Sequence, residues 1–166
     1  MAKVKLSTSM GDITLELDEN EAPISTKNFL GYVDDGFYDG LIFHRVIDGF
    51  MIQAGGFTPD MEQKKTGQNI KNEWKNSLTN KRGAIAMARI GGDPDSASSQ
   101  FFINVNDNAF LDQAQPDGAA YAVFGEVVEG MDVVDQIKNV DTTNKAGHGD
   151  VPVEPITIEK ATREEA

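Results

Sequence analysis

The stretch FHRVIDGFMIQAGGFT, residues 43–58, carries the strongest structural signal in the chain. Two apolar runs flank Asp48 and Gly49, and they contain a single arginine and a single glutamine among large apolar side chains. The stretch has neither a nucleophile–base pair nor a cluster of metal ligands. A site of this composition suits a change in the conformation of a substrate better than the cleavage of a covalent bond.

The length of the loop between the two runs decides which side chains share a face, because successive strand residues point to opposite faces. A two-residue turn would place Arg45 opposite Ile52. A three-residue loop instead pairs Arg45 with Gln53, and such loops are common in hairpins when they contain Gly. We therefore expect the three-residue loop. The outer face then carries Arg45, Ile47, Met51 and Gln53, and the core face carries His44, Val46 and Ile52. The same alternation puts Phe43 on the face of Arg45 and Ile47.

The same alternation appears in Ser99-Gln100-Phe101-Phe102-Ile103. If Phe101 and Ile103 face the core, Gln100 and Phe102 lie on the outer face. An aromatic side chain beside an amide on an outer face suggests a binding groove.

Period-2 alternation predicts strands over most of the chain, with a hairpin at 3–8 and 13–18 and further strands at 41–47, 51–54, 84–88, 100–105, 121–128 and 156–161. Helices are predicted at 26–35, with Ser25 or Thr26 as the cap, and at 131–138. Long loops are predicted at 55–78, 89–99 and 140–155. Many short strands with two helices indicate a mostly antiparallel sheet or a closed barrel, with helices covering its open ends.

The composition limits the possible classes of function. The 166 residues suit a single domain, predicted over 1–166. The formal net charge of −12 disfavours nucleic acid as a partner, because a negative field repels phosphate. With no cysteine and two histidines, no metal site and no cofactor are expected. No apolar run reaches the ~20 residues of a membrane span, and the N-terminus lacks the apolar region of a signal peptide, so we expect a cytoplasmic protein without a membrane partner.

Several separate motifs resemble, in the same order, those of the cyclophilins, a family of peptidyl-prolyl cis–trans isomerases. They are the FHR, GFM, Q, GG and FT elements of residues 43–58, SQFFI at 99–103, FL at 110–111 and VFGEVVEGMDVV at 123–134. The resemblance covers nearly the whole chain, and MAR at 87–89 and YAVFG at 121–125 are similar to bacterial cytoplasmic members. It implies a closed eight-stranded antiparallel β-barrel capped by two α-helices, with the active site on its outer face.

The resemblance also implies a role for individual residues. Arg45 matches the catalytic arginine, and Gln53 and Gln100 match the polar residues that orient this arginine and the substrate carbonyl. The backbone of Ala88 and Arg89 is expected to pair with the substrate chain. The pocket for the proline ring is expected to comprise Phe50, Met51, Phe102 and Leu111, with Ile47 at its border.

Two positions depart from the pattern of the eukaryotic members. Phe110 stands where those proteins have a tryptophan, and Tyr121 stands where they have a histidine. Both are still expected to line the substrate site. Because the indole N–H is missing, we expect weak binding of cyclosporin-type inhibitors. The loop at 89–99 is also slightly longer than is usual, which alters the expected shape of the site beyond the proline pocket.

The implied reaction is rotation about X–Pro bonds in proline-containing peptides and in unfolded or flexible protein segments, assisting protein folding without a covalent intermediate. An arginine can donate a hydrogen bond to the prolyl nitrogen when the amide is twisted, which binds the transition state selectively. The alternative is a non-catalytic module that binds proline-containing loops as a chaperone. Nothing in the sequence demands an oligomer, so we expect a monomer.

Overall fold

The computed structural model describes residues 1–164. Within this range the chain forms ten β-strands, two α-helices and one short 3₁₀ helix at Ala109–Asp112. The strands are β1 (Ala2–Thr8), β2 (Gly11–Leu17), β3 (Phe43–Ile47), β4 (Met51–Ala54), β5 (Ala84–Met87), β6 (Phe101–Asn104), β7 (Val123–Glu129), β8 (Thr142–Lys145), β9 (His148–Pro152) and β10 (Ile158–Glu164). The helices are α1 (Pro23–Asp34) and α2 (Met131–Lys138).

Eight of the strands form one antiparallel sheet, in the order β10-β1-β2-β7-β5-β6-β4-β3. Within residues 1–164 no continuous ladder joins the edge strands β3 and β10. The segments that precede these strands meet through an isolated bridge between Ile42 and Thr157, and the Phe43 N–H donates to the Ile156 carbonyl at 2.9 Å. The prediction of a mostly β, antiparallel fold with two helices is confirmed, in the form of a curled eight-stranded half-barrel.

The main core lies between the curled sheet and the two helices. The predicted alternation of β1 and β2 is observed, since Val4 pairs with Leu15 and Leu6 pairs with Ile13. All four side chains are fully buried. The hairpin therefore contributes one apolar face to the core and one polar face to solvent.

Aromatic rings connect α1 to the sheet. The Phe29 ring of α1 lies 5.1 Å from Tyr38 and 5.3 Å from both Phe101 of β6 and Phe124 of β7, measured between ring centroids. Offset and edge-to-face aromatic pairs at such distances add to the stabilisation from burial. The second helix, α2, adds Val133, Val134 and Ile137 to the same core.

The start of α1 differs from the prediction. The helix begins at Pro23, three residues before the predicted Thr26, and neither Ser25 nor Thr26 caps it. Pro suits the first turn because the N–H that it lacks would have no partner there. The cap comes instead from Glu73, whose carboxylate accepts the N–H groups of Ser25 at 2.6 Å and Ile24 at 3.1 Å. This cap is a tertiary contact, so no local sequence pattern reveals it.

The predicted loop at 140–155 is partly wrong, because it contains the hairpin of β8 and β9. All of β8 and the first three of the five residues of β9 are exposed, so alternation of apolar residues gives no signal there. Ala146 and Gly147 at its turn have φ values of 53° and 81°, as a tight hairpin turn requires. The other predicted strands and the second helix exist, with ends that differ by up to three residues.

We expect Glu73→Ala to lower the free energy of unfolding by about 1 kcal/mol, because the first turn of α1 loses its acceptor. Urea denaturation followed by circular dichroism measures this change. Glu19→Ala is the matched control, since Glu19 is exposed and its carboxylate makes no hydrogen bond or ion pair within residues 1–164. Equal stability of Glu73→Ala and wild type would contradict a stabilising cap.

Candidate active site

A cavity of about 280 Å³ opens on the outer face of the sheet. Its lining comes from β3, β4 and β6, from the end of β5, from the 3₁₀ helix and from the segment before β7. The lining residues are Arg45, Phe50, Met51, Gln53, Ala88, Arg89, Phe102, Phe110, Leu111, Gln115 and Tyr121. Beneath the cavity lies an apolar cluster that is separate from the main core. This outer cluster consists of Met51, Ala84, Ala86, Ala88, Phe102, Leu111 and Val123.

The register of β3 and β4 is the predicted one. Arg45 pairs with Gln53 and Ile47 pairs with Met51, which requires the three-residue loop. Alternation therefore brings the arginine and the glutamine to one face of the hairpin. The opposite face contributes Val46 and Ile52 to the main core.

The prediction for the start of β3 needs a correction. A register shift between Phe43 and Arg45 interrupts the alternation, so Phe43 belongs to the main core and not to the face of Arg45. His44 is buried, but the prediction that it lies in the core with Val46 and Ile52 is wrong: its ring lies 4.4 Å from Phe57, which belongs to a separate apolar cluster, and 6.4 Å from His148, between centroids. It is therefore covered by the β8–β9 hairpin, which packs against β3.

The polar side chains form a short hydrogen-bonded chain along the cavity. Arg45 Nη1 donates to Gln53 Oε1 at 3.4 Å, and Gln53 Nε2 donates to Gln100 Oε1 at 2.9 Å. Arg45 is exposed, and this is the one hydrogen bond that its guanidinium makes to the described part of the chain. The remaining guanidinium N–H groups are therefore available to a ligand.

Two glycines leave the space in which the Gln100 side chain lies. A Cβ on Gly56 would lie 2.6 Å from the Gln100 side chain. Gly55 has a φ of +98°, and a Cβ on it would lie 2.8 Å from the Ser99 carbonyl oxygen. Since any larger residue would displace Gln100 from Gln53, the GG motif after β4 serves the polar chain.

Apolar side chains form the floor and rim of the cavity. Met51, Phe102 and Leu111 are nearly completely buried, whereas Phe110 is 56% exposed. The rings of Phe50 and Phe110 stack with their centroids 5.7 Å apart. A buried apolar floor with an aromatic rim is suited to a small apolar ring.

Three buried asparagines support the backbone around the cavity. Asn108 Nδ2 donates to the Phe50 carbonyl at 2.8 Å and to Asn104 Oδ1 at 2.7 Å. Asn104 Nδ2 donates to Asn80 Oδ1 at 3.0 Å, and Asn80 Nδ2 donates to the Tyr121 carbonyl at 3.3 Å. This row of asparagine hydrogen bonds thus connects the segment of Phe50 with the segment of Tyr121, and both segments line the cavity. Sequence reasoning missed it, although alternation along β6 places Asn104 on the cavity face.

Arg89 presents its backbone, not its side chain, to solvent. The side chain is 2% exposed and forms an ion pair with Asp117 at 2.5 Å, although the residue as a whole is half-buried. Within residues 1–164 the backbone N–H and carbonyl of Arg89 have no partner. The guanidinium hydrogen bonds hold the pKa of the Asp117 carboxyl below its usual value. An unpaired strand end of this kind can pair with an extended peptide.

The cavity brings together ten of the twelve residues predicted for the site. The other two lie beside it, since Ile47 packs against the outer cluster and Gln100 contacts Gln53. Gln115 also lines the cavity and was not predicted. Its Nε2 donates to the Phe110 carbonyl at 3.1 Å. It lies in a polar loop, where no periodicity marks a residue that points inward.

What the cavity offers is one arginine, two glutamines and an apolar pocket beside an unpaired strand end. These groups define a class of protein that binds an extended peptide and acts on its conformation. Within residues 1–164 no three His, Asp or Glu side chains are grouped as a metal ion requires. None of the helices in the same range has the length and apolar character needed to cross a membrane.

Comparisons with known proteins assign the family. The model of the cyclophilin type peptidyl-prolyl cis-trans isomerases matches residues 3–163. The peptidyl-prolyl cis-trans isomerase cyp18 of Streptomyces antibioticus is 58% identical and aligns with 97% of this chain and 98% of its own. Peptidyl-prolyl cis-trans isomerase B of Escherichia coli K12 is 53% identical, with 96% and 98% covered. The chain belongs to the cyclophilin-type peptidyl-prolyl cis–trans isomerase family, and the predicted enzyme class is confirmed.

The fold is also similar to a solved member of this family. The crystal structure of a Cryptosporidium parvum cyclophilin type isomerase, in the presence of the dipeptide Ala-Pro, superposes with a TM-score of 0.84 at 28% identity. The match covers 99% of both chains.

His44, next to Arg45, is a buried ionisable group. Burial lowers the pKa of His44 from its usual 6.5 to about 4, and the charges of His148 and Arg45 contribute in the same direction. Its Nδ1 has no hydrogen-bond partner in the described part of the chain. The neutral ring is therefore the form that the fold accommodates at neutral pH.

We expect the free energy of unfolding to fall as the pH decreases from about 6.5 to about 4, because unfolded His44 binds a proton in this window and folded His44 does not. The full loss is on the order of 3 kcal/mol. His44→Phe removes the proton site and should flatten this part of the profile in urea titrations at several pH values. His148→Gln, which alters an exposed ring, should retain most of the slope. A His44→Phe slope equal to that of wild type would contradict the assignment.

Proposed function

We propose that Arg45 is the catalytic residue for rotation about X–Pro bonds and that Gln53 orients it. The planar amide has partial double-bond character, which gives a rotation barrier of ~18–20 kcal/mol. Twisting the amide destroys this resonance and returns a lone pair to the prolyl nitrogen. A guanidinium N–H can donate to that lone pair in the twisted state, so it stabilises the transition state more than either planar state.

The observation that carries this proposal is the position of Arg45, on the cavity wall with guanidinium N–H groups that have no partner in residues 1–164. Gln53 and Gln100 restrict the guanidinium by the hydrogen-bonded chain along the cavity. Arginine suits this role better than lysine, because its donors lie in one plane and its charge is permanent.

The apolar floor is proposed to bind the proline ring. Phe50, Met51, Phe102 and Leu111 supply this pocket, with Ile47 at its border and with Phe110 and Tyr121 as further walls. An apolar surrounding disfavours the planar amide, which is the more polar form, and therefore favours the twisted one. The relative solved with Ala-Pro supports a proline-containing ligand.

The strand end at Ala88 and Arg89 is proposed to pair with the substrate backbone. The unpaired N–H and carbonyl of Arg89 support this role. Such pairing is independent of side-chain identity, which suits an enzyme that acts on unfolded or flexible segments of many proteins. We expect the physiological role to be assistance of protein folding.

The second candidate is a chaperone module that binds proline-containing loops without catalysis. The same cavity would serve both functions, since binding needs the apolar pocket and catalysis also needs Arg45. A protease-coupled assay on a short Xaa-Pro peptide separates them, because a binding module leaves the isomerisation rate unchanged.

We expect Arg45→Ala to reduce kcat/KM in this peptide assay by ~10²–10³. The thermal midpoint should change little, because Arg45 is exposed and makes one long hydrogen bond within the described residues. Arg45→Lys is the matched comparison; it keeps the charge but not the planar donors, and should remain well below wild type. Full activity of Arg45→Ala would exclude the proposed role.

We expect Phe110→Trp to lower the Kd for cyclosporin by about tenfold, because the indole N–H adds one hydrogen bond to the inhibitor. Phe110 is exposed at the rim, so the larger ring meets no packing barrier. Isothermal titration calorimetry of both proteins measures the change, with Phe110→Tyr as a comparison that adds a donor at a different position from the indole N–H. Equal affinities of Phe110→Trp and wild type would reject the explanation of weak binding.

We further infer that the barrel is closed in solution and that the protein acts as a monomer in the cytoplasm. The Ile42–Thr157 bridge and the Phe43–Ile156 hydrogen bond support closure. Slow hydrogen exchange at the Phe43 amide would test closure, and sedimentation equilibrium would test the monomer. Fractionation of cells that express the protein would test the compartment.

A further inference from the structure

We propose that Arg89 is a positioning residue, whose buried ion pair with Asp117 holds Tyr121 in place as a wall of the substrate cavity. This role belongs to the side chain of Arg89, whereas its backbone is the part proposed to meet the substrate. The inference rests on the proposed function, because the wall has a role in turnover if the cavity binds a proline-containing peptide.

The Arg89–Asp117 pair is the most deeply buried ion pair in residues 1–164. Its side chains are 2% and 8% exposed, whereas the other pairs in this range have partners that are at least 25% exposed. Arg89 Nη1 donates to Asp117 Oδ2 at 2.5 Å, and Nη2 donates to Oδ1 at 3.2 Å. Nη2 also donates to the Ala119 carbonyl at 2.9 Å. This bidentate geometry fixes the plane of the guanidinium as well as its position.

Asp117 connects two loops beside the cavity. Besides Arg89, its carboxylate accepts the N–H of Gly92 at 3.1 Å and the N–H of Ala119 at 3.2 Å. Gly92 lies in the loop that follows β5, and Ala119 lies in the segment that precedes β7. A single carboxylate therefore ties both loops to Arg89, an arrangement that we call the Arg89 latch.

Tyr121 lies between the latch and the floor of the proline pocket. The guanidinium carbon of Arg89 is 4.6 Å from the centroid of the Tyr121 ring, a distance typical of a cation–π contact. The same ring packs edge-to-face on Phe102, with their centroids 5.9 Å apart. Arg89, Tyr121 and Phe102 all line the cavity, so the latch is in direct contact with its wall.

Stability of the fold alone does not account for this arrangement. Burial of two charges carries a desolvation cost that often offsets their attraction, and well-packed apolar residues at such positions are frequently as stable. An apolar side chain lacks both the charge of the cation–π contact with the Tyr121 ring and the hydrogen bonds that fix the guanidinium against that ring. The pair therefore serves the shape of the cavity.

The first test is the kinetics of Arg89→Met, which keeps an unbranched stem and removes the fork. We expect the KM for an Ala-Pro-containing peptide to rise by about tenfold, with kcat within about twofold of wild type. A loosened Tyr121 wall weakens the binding of substrate and of transition state by the same free energy, so KM rises. Because Arg45 is unchanged, kcat changes little.

Arg163→Met is the matched control for Arg89→Met. Arg163 of β10 makes a bidentate pair with Asp34 of α1, and this pair is 50% exposed and lies outside the cavity. Its KM should equal that of wild type.

The second test is chemical rescue of Arg89→Ala. Methylguanidinium should lower the KM of this variant towards the wild-type value, because it can restore the planar fork to Asp117. Methylammonium at the same concentration should not, because it supplies charge without a fork. A lower thermal midpoint of Arg89→Met with an unchanged KM would overturn the proposal. Equal rescue of Arg89→Ala by the two cations would also overturn it, and so would a KM that rises as much in Arg163→Met as in Arg89→Met.

Amide hydrogen exchange separates failure of the latch from failure of the proposed function. In Arg89→Met the amides of Gly92 and Ala119 should exchange faster than in wild type, whether or not the protein turns over a peptide. Unchanged exchange in an active enzyme would reject the latch. An inactive wild type would reject the proposed function.

Discussion

The alternation of side chains across β4 and β6 is the constraint on which the rest of the structure depends. In β6, Phe101 and Ile103 enter the main core, while Phe102 between them enters the outer cluster. In β4, Ile52 is part of the core and Gln53 lines the cavity. A single layer of backbone therefore separates two apolar clusters. The site lies on the outside because the inside is already filled, and the close-packed core beneath it keeps the floor of the cavity rigid.

The charge around the cavity differs from the charge of the chain as a whole. The formal net charge is −12, yet the cavity presents the cation Arg45, and its other lining cation, Arg89, is paired with Asp117. Gln53 and Gln100 add dipoles without net charge. Under the proposed function, a peptide in the cavity meets a cation and two amide side chains beside a buried apolar floor, and this floor strengthens the hydrogen bonds made next to it. This is the setting in which one donor can distinguish a twisted amide from a planar one.

The features that the sequence could predict are those that local periodicity determines. The pairing of Arg45 with Gln53 follows from alternation and one loop length, and family motifs place ten of the cavity's lining residues. The features that it could not predict depend on contacts between distant residues or on backbone irregularity. Glu73 caps a helix 48 residues away, and Asp117 binds an arginine 28 residues away. The register shift between Phe43 and Arg45 is a backbone irregularity, and no pattern of side chains along β3 marks it. Exposed polar strands, such as those of the β8–β9 hairpin, lack the apolar alternation by which strands are recognised.

The position of β1 in the sheet has a consequence for the biogenesis of the protein. β1 lies between β2 and β10, so Val4 faces Leu15 on one side and Arg163 on the other. During synthesis one edge of β1 therefore stays open until β10 has been made. Pairing between strands so far apart in the chain is slow, and an open edge is a template for aggregation in the meantime. The order of strands in the sheet therefore exposes this chain to aggregation late in its own folding, until β10 pairs with β1.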